Sequence, residues 1–245
     1  MSVDLAAEGC DKAAASGQTD CTPTLAGRRF FCSWSGGKDA YLAFARAVAA
    51  GGLPEALVCM LHEDGKHSRG HGLPVAVLEA QAEALGVPLV TGVTTWDDYE
   101  ATFVGVLHEL RAQGVEAGVF GDLDLEGHRV WVAGVCEVAD LSCHLPLWQE
   151  PRRRLIGELL AGGVRATVVA VDAAKLDASF LGREITPELV AELEAAGADA
   201  CGEEGEYHTM VIAAPLFSAP VPLAWKGCEE RDGHWVLTFT AFTTN

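Results

Sequence analysis

The stretch Ser35-Gly36-Gly37-Lys38-Asp39 combines residue types that suit the binding of a phosphate group. Glycines let an anion approach the backbone, and the N–H groups and dipole at a helix start favour negative charge. Lys38 can neutralise phosphate charge, and Asp39 can cap the helix or help to hold Mg²⁺. The spacing is too short for the G-x-x-x-x-G-K-[ST] loop. A tight turn without a ligand is the alternative, but the pattern favours a phosphate-binding turn.

A second group of reactive side chains lies in the stretch CGEEGEYHT, residues 201–209. Its three glutamates stand among glycines, which indicates a shaped loop rather than a solvated helix face. Clustered carboxylates in a loop can bind Mg²⁺, orient an amine or act as a general base. We assign catalysis to Glu203 and Glu206, and substrate contact to Gly205, Tyr207 and Thr209. A merely structural Tyr207 is the alternative.

The stretch GDLDLEGHRVW, residues 121–131, follows another predicted strand. Asp122 stands at the end of that strand, where parallel sheets place functional side chains, and Arg129 can bind a phosphate or carboxylate through two hydrogen bonds. We expect Asp122, His128 and Arg129 to lie between the glutamate-rich loop and the phosphate-binding turn. Asp122 and Arg129 are predicted to be catalytic. A capped helix start near His128 is the simpler alternative.

The loop HEDGKHSRGHG, residues 62–72, contains three histidines. Histidines can bind zinc, but this long loop also carries a lysine and an arginine, which weakens a metal site and favours an anionic or polar substrate. We predict substrate contacts for His67, Arg69 and His71. An exposed surface loop is the alternative, because loops are generally exposed and polar.

Alternating strands and helices position these four polar stretches. The apolar patterns predict strands at 28–34, 56–61, 88–92 and 117–121, with helices at 38–50, 74–85 and 96–113 between them. This order implies a parallel α/β sheet with right-handed crossovers. Three of the four stretches directly follow predicted strands, and the glutamate-rich stretch lies in the region after them. Because parallel α/β sheets bind ligands at the carboxyl ends of their strands, we expect the ligand site there.

The rest of the chain continues the α/β pattern and suggests two domains. Helices are predicted at 130–139, 151–160 and 187–196, and strands at 144–147, 166–171, 209–213 and 234–242. Residues 1–27 have no apolar period and are predicted to be a flexible extension. We predict a nucleotide-binding domain at 28–125 and a smaller α/β substrate domain at 126–245.

Composition narrows the class of protein. The 245 residues are 49% hydrophobic and carry 17 basic against 35 acidic side chains, a formal net charge of −18 that disfavours nucleic acid as a partner. The chain has no apolar run near the ~20 residues of a membrane span and no secretory signal. The eight cysteines include no C-x-x-C pair. We predict a cytoplasmic protein without a membrane partner.

Five motifs occur in the order seen in the diphthine–ammonia ligase family of PP-loop ATP pyrophosphatases: SWSGGKDA, QAEALGVPL, GDLDLEGHRVW, PLW and CGEEGEYHT. The resemblance covers about residues 28–223, and the loop at 63–72 resembles the bacterial branch. It implies an α/β fold with a HUP-type, Rossmann-like parallel sheet and a second, substrate domain. It also implies that ATP is cleaved to AMP and pyrophosphate, that AMP is transferred to a carboxylate or amide oxygen, and that ammonia or an amine displaces it.

The resemblance carries residue roles with it. It implies that ATP with Mg²⁺ binds at Ser35, Gly36, Gly37, Lys38 and Asp39, with Lys38 and Asp39 also catalytic and Asp39 beside the metal. We place Met60, in the second predicted strand, on the nucleotide side as well. The acceptor is expected to be a small-molecule or protein-borne carboxylate, and a homodimer is considered.

Two departures from the family pattern leave alternatives. Ala40 replaces the usual serine after the aspartate, and Glu204 replaces the first of two paired glycines. A PP-loop enzyme that modifies tRNA and a non-catalytic adenine-nucleotide-binding protein are therefore kept as alternatives. In the bacterial branch diphthamide is not an expected product, so the native acceptor stays open among diphthine-like, cobalamin-related and other compounds.

Overall fold

The computed structural model describes residues 24–222 and 224–239, and its first half is built on a five-stranded sheet. The strands are β1 Arg29–Ser33, β2 Leu53–Leu61, β3 Leu89–Val93, β4 Ala117–Val119 and β5 Ser142–His144. They lie in the order β3-β2-β1-β4-β5, and every neighbouring pair is parallel. The chain moves outward from β1 on one side and returns to its other side at β4. Open α/β sheets bind ligands at such a point.

Helices cover both faces of this sheet. They are α1 Lys38–Ala49, α2 Val75–Leu85, α3 Tyr99–Ala112 and α4 Glu126–Val138. Side chains alternate along β1: Phe30 and Cys32 enter a core shared with α1 and α2, whereas Phe31 enters a second core with α3 and α4. Because both faces of β1 are buried at its centre, residues 30–32 form a continuous apolar run. The predicted α/β fold is confirmed.

The second half forms a four-stranded antiparallel sheet in the order β7-β6-β9-β8. These strands are β6 Arg165–Asp172, β7 Tyr207–Ala213, β8 Trp225–Arg231 and β9 His234–Phe239. Two helices precede and follow β6, α5 Arg152–Ala161 and α6 Pro187–Ala195. Helix α6 begins where the Thr186 side chain accepts the Leu189 N–H, with Pro187 at the first turn.

The two sheets share one hydrophobic core and a buried polar connection. Leu155, Leu189 and Met210 belong to the same core cluster as Phe30. The Gln81 amide donates to the backbone oxygens of Gly36 at 3.0 Å and Val211 at 2.8 Å. Since Gly36 follows β1 and Val211 lies in β7, this side chain holds the predicted phosphate-binding turn against the second sheet.

Several predicted limits differ from the structure. Helix α4 begins at Glu126 rather than residue 130, because its first turn has no buried residue to extend the apolar period. Strand β5 ends at His144, where the predicted strand began. Strand β8 was not predicted, because all of its residues are exposed and the alternation that marks a strand is missing. Residues 1–23 of the predicted extension, and residues 240–242 of the last predicted strand, lie outside the described residues.

The first sheet extends beyond residue 125. Strand β5 pairs with β4, so β5 lies in the first sheet, and α4 connects these two strands. The boundary after residue 125 stays a prediction, and we propose instead that the two units meet within residues 145–151. Among the described residues, no helix has the length and apolar character needed to cross a membrane.

Candidate functional site

A cavity of about 300 Å³ lies at the carboxyl ends of β1 and β4. The turn after β1, the start of α4, the loop before β7 and the loop after β2 all contribute to its wall. Its lining residues are Ser33, Ser35, Lys38, Asp39, Ala40, His71, Gly121, Asp122, Leu125, His128, Cys201, Gly202, Glu203, Gly205, Tyr207, His208 and Thr209. Tertiary structure thus brings together residues from four of the sequence stretches singled out above.

The start of α1 requires both of its glycines. Gly36 has a φ of +80°, which side chains rarely adopt. At Gly37, a Cβ atom would lie 2.6 Å from His71 Cε1 and 3.2 Å from the Thr209 carbonyl oxygen. The Lys38 N–H donates to Thr209 Oγ1 at 3.1 Å, which ties the first turn of α1 to β7. The turn is therefore held tightly, with no room for a side chain at Gly37.

Lys38 is a buried cation that connects the two halves of the cavity. Its side chain is 4% exposed, and its Nζ lies 2.7 Å from Asp39 Oδ2 and donates to the Cys201 carbonyl. Burial alone would lower the pKa of Lys38, but Asp39 and then Tyr207 outweigh it, so the pKa is raised. Lys38 is accordingly charged at neutral pH, in contact with both the α1 turn and the loop before β7.

The loop before β7 is shaped by a carboxylate that does not face the cavity. Glu206 is 2% exposed; its Oε1 accepts the Asp199 N–H at 2.9 Å and its Oε2 accepts the Glu204 N–H at 3.0 Å. The Tyr207 hydroxyl donates to the Ala200 carbonyl at 2.6 Å. Both Glu206 oxygens accept backbone N–H groups, so this side chain holds the shape of the loop, and its role as a base stays a prediction.

Arg152 reinforces the same loop from α5. Its guanidinium contacts Asp124 at 2.7 Å and Asp199 at 2.6 Å. Asp199 in turn accepts the N–H groups of Cys201 at 2.7 Å and Glu203 at 3.3 Å. These contacts connect the loop after β4 to the loop before β7, so they set how far apart the two cavity walls stand.

Glu203 is the glutamate that this loop presents to the cavity. Burial and the nearby Asp39 carboxylate raise its pKa to about 7, although Lys38 and Arg152 act in the opposite direction. Near neutral pH its two protonation states are therefore similarly populated. A cation that entered the cavity would favour the ionised form.

Asp122 and His128 form a hydrogen-bonded pair at the rim. His128 Nδ1 lies 3.1 Å from Asp122 Oδ1, with the imidazole 64% exposed and the carboxylate 23% exposed. The hydrogen bond that Asp122 accepts raises the pKa of His128; burial lowers this pKa, and the charges of Asp122 and Glu203 raise it. A carboxylate in this position orients the imidazole and sets which ring nitrogen carries the proton.

Three histidines stack on the other side of the cavity. His71 and His208 have ring centres 4.5 Å apart, and His208 and His234 are 6.3 Å apart. Burial lowers the pKa of His71 well below its usual value and that of His208 to about 4, with Lys38 contributing to both. His71 Nδ1 is buried without a hydrogen-bond partner. His71 and His208 are therefore neutral at physiological pH.

Sequence comparisons assign both halves of the chain to one family. The family model for the diphthamide synthase N-terminal domain matches residues 28–142, and the model for its C-terminal domain matches residues 152–241. The chain belongs to the diphthamide synthase family. The break between the two family models covers residues 143–151, from within β5 to the residue before α5. The predicted family is thereby confirmed.

Curated relatives of this diphthamide synthase family member carry the name diphthine–ammonia ligase. The protein from Rattus norvegicus is 28% identical over 76% of this chain and 79% of its own length. The one from Schizosaccharomyces pombe is 27% identical over 81% of this chain but only 36% of its own length. These names agree with the predicted ligase class. A solved structure titled predicted subunit of tRNA methyltransferase from Methanocaldococcus jannaschii covers 77% of this chain and 98% of its own, at 15% identity and a TM-score of 0.42.

Five predicted site residues of this family member lie away from the cavity wall. Met60 is packed in the core under α3 and α4. His67 contacts Asp64 at 2.6 Å, and Arg69 donates to the Thr94 carbonyl and lies 4.9 Å from the Trp96 ring centre. Arg129 pairs with Glu126 and lies over Trp148. Glu206 is the fifth, and the cavity wall also omits the two glycines of the α1 turn, which support it from behind.

Sequence reasoning missed other residues of the site. His208, Cys201, Gly202 and Leu125 line the cavity, and Arg152 holds its walls together. Gly121 packs on α1, since a Cβ there would lie 2.9 Å from the Ala40 nitrogen. The Arg152 run was visible in the sequence, but its partners lie 28 and 47 residues away, and only folding shows the contact.

Proposed function

We propose that this protein is an ATP-dependent ligase that adenylates a carboxylate and joins it to ammonia or an amine, with AMP and pyrophosphate as the other products. The observation that carries the proposal is Lys38, whose ammonium contacts both Asp39 in the α1 turn and the Cys201 carbonyl in the glutamate-bearing loop. One cavity thus combines a phosphate-binding helix start with a carboxylate suited to an amine. Ligation needs both at a single centre.

The nucleotide phosphates would lie at the start of α1. Helix N-termini favour anions, and Gly36 and Gly37 carry no side chains that would screen the backbone N–H groups of this turn from a phosphate. Lys38 would supply positive charge to the phosphates. Ala40 supplies no hydroxyl, so binding there would rest on backbone N–H groups and Lys38.

The charge balance of the cavity suits a nucleotide that arrives together with a divalent cation. Asp39, Asp122 and Glu203 line the cavity with a single lysine, Lys38, and this excess of negative charge would repel a bare nucleotide. The described residues include no group of three or more side chains placed to hold a metal ion. Asp39 would therefore hold Mg²⁺ jointly with phosphate oxygens, and the ion would neutralise charge on the leaving pyrophosphate.

The acceptor side would be formed by Glu203 with Gly205, Tyr207 and Thr209. A substrate carboxylate attacks the α-phosphorus of ATP, and pyrophosphate leaves. Glu203, whose pKa is about 7, would hold the nitrogen nucleophile as an ammonium ion beside the activated carbonyl. Attack of nitrogen then releases AMP, a good leaving group at neutral pH. Tyr207 serves mainly to hold the loop, through its bond to Ala200.

Pyrophosphate exchange tests this proposal. Labelled pyrophosphate should enter ATP in the presence of Mg²⁺ and one of a panel of carboxylates that begins with acetate, glutamate and a short peptide. Lys38→Met should reduce the exchange by about 10²-fold, since a lost charge contact at a transferring phosphate typically costs several kcal/mol. The control Lys66→Met removes an exposed lysine outside the cavity and should have no effect. Products of ADP and phosphate, or equal exchange in both variants, would refute the proposal.

A further inference from the structure

Asp122 and His128 form the remaining acid–base group of the cavity. Asp122 follows β4, and His128 lies in the first turn of α4, so both are fixed by regular elements. Asp122 Oδ1 lies 3.1 Å from His128 Nδ1, within hydrogen-bond distance. The other ring nitrogen, Nε2, is left for a ligand, and the ring lines the cavity. A carboxylate on Nδ1 selects the tautomer in which Nε2 is an acceptor.

Charged groups from two segments act on His128. Asp122 lies in the loop after β4 and Glu203 in the loop before β7, and both raise the pKa of the imidazole. Glu126, two residues earlier in α4, is paired with Arg129. This surrounding favours a proton on His128 once the ring has accepted one.

We infer that His128, oriented by Asp122, is the base that removes a proton from the nitrogen nucleophile at Nε2. The inference rests on the proposed function and adds a residue that the family resemblance did not assign to catalysis. His128 is the catalytic residue, and Asp122 is a positioning residue that acts through it.

Amide formation at this centre involves one new bond, one broken bond and the release of protons. The nitrogen of ammonia or an amine attacks the carbonyl carbon of the adenylated carboxylate, so a C–N bond forms. The bond from that carbon to the AMP oxygen breaks, and AMP leaves with the electron pair. The nucleophile, held as an ammonium ion at Glu203, first loses one proton to His128 Nε2, which gives a neutral nitrogen able to attack. The positively charged nitrogen that the attack forms then loses a second proton in the same way. Each proton passes from His128 to water, which reaches the exposed ring. No oxidant, reductant or further reactant is needed.

Other groups in the cavity suit this role less well. Lys38 is charged and already bound to Asp39 and the Cys201 carbonyl. The unpartnered nitrogen of His71 is buried against Gly37, where a ligand atom has no room. Glu203 is placed to hold a cation. His128 alone among these combines a free nitrogen, an orienting carboxylate and contact with solvent.

Nuclear magnetic resonance of the full chain with ¹⁵N-labelled histidine tests the orientation. The spectrum of His128→Gln identifies the His128 signals among the eight histidines. The neutral ring should carry its proton on Nδ1, and its pKa should fall when Asp122→Asn removes the charge. A proton on Nε2 instead, or an unchanged pKa in Asp122→Asn, would overturn the inference.

Kinetics test the chemical role. With a carboxylate that supports pyrophosphate exchange, and ammonium chloride as nucleophile, His128→Gln should lower amide formation by about 10²-fold or more, as expected for a lost general base. Exchange, which involves no nitrogen, should fall far less. Asp122→Asn should move the acid limb of the amide-forming rate to lower pH. A parallel loss of both rates would mean that His128 binds phosphate and would overturn the inference.

A control variant at a histidine outside the cavity tests whether the effect belongs to the site or to any histidine paired with an aspartate. His67 is also paired through Nδ1 to an aspartate, Asp64, at 2.6 Å, but it lies outside the cavity. His67→Gln should leave both rates unchanged. If no carboxylate supports exchange in the wild type, the proposed function fails and the base role fails with it. If exchange occurs but His128→Gln forms amide at the wild-type rate, only the further inference fails.

Discussion

Replacing Glu203 by glutamine should stabilise the protein at high pH while it removes the acceptor-side carboxylate. The pKa of Glu203 is raised to about 7 from an ordinary 4.5, chiefly by burial and then by Asp39. An acid with a raised pKa binds its proton more tightly in the folded than in the unfolded state. Its contribution to stability is therefore greatest below pH 4.5, declines as the pH rises toward 7, and levels off above it.

The size of the effect follows from these two pKa values. The difference between about 7 and 4.5 corresponds to about 3 kcal/mol, at about 1.4 kcal/mol for each tenfold change in the equilibrium. Glu203 is only partly buried, so solvent screening reduces the expected difference to about 2 kcal/mol. For a chain of this length that is a rise of roughly 4–8 °C in melting temperature for Glu203→Gln at pH 8.

Thermal unfolding of the wild type, Glu203→Gln and Glu204→Gln at pH 5 and pH 8 provides the assay. Glu204 is the exposed neighbour of Glu203, and its replacement should change neither temperature appreciably. Glu203→Gln should melt near the wild type at pH 5 and clearly above it at pH 8. A gain of equal size at both pH values would refute the electrostatic reasoning, because a proton-independent gain cannot come from this carboxylate's ionisation.

Two further substitutions test the start of α1. Gly37→Ala should abolish calorimetric binding of ATP with Mg²⁺, since its methyl group would meet His71 at 2.6 Å. The control Gly105→Ala, whose methyl group meets nothing within 4 Å, should bind normally and gain up to about 1 kcal/mol of stability. Normal binding by Gly37→Ala would contradict the assignment of this turn to phosphate. Thr209→Val keeps the side-chain shape but removes the acceptor of the Lys38 N–H, so urea unfolding should show a loss of about 1 kcal/mol, and an unchanged midpoint would argue against that cap.

Much of the fold could be read from local patterns. The apolar run of β1 and the helical periods of α1, α2 and α3 gave element limits within a few residues of those observed, because both patterns report which side chains are buried. Strand β8 could not be found in this way, since all of its residues are exposed and its place is decided by hydrogen bonds to β9.

The candidate site could likewise be predicted only in part from the sequence. Residue types and the order of the strands were enough to expect a phosphate-binding turn beside a glutamate-bearing loop, and the structure places Lys38 and Glu203 in one cavity. Which glutamate faces that cavity was beyond the sequence. Glu203 and Glu206 are chemically identical and three residues apart, and only the backbone N–H groups of Asp199 and Glu204 decide that Glu206 turns inward.

The sequence by itself determined most of the helices and strands, the family and the chemical character of each loop, because these depend on residue type and on short-range periodicity. The Arg129–Glu126 pair is a local i,i+3 contact within α4, but tertiary structure alone decided that Arg129 lies away from the cavity while its neighbour His128 lies at the rim. Hydrogen bonds and burial depend on where the backbone carries each side chain, and adjacent helical residues point about 100° apart. Residues next to each other in a motif can therefore have unrelated roles.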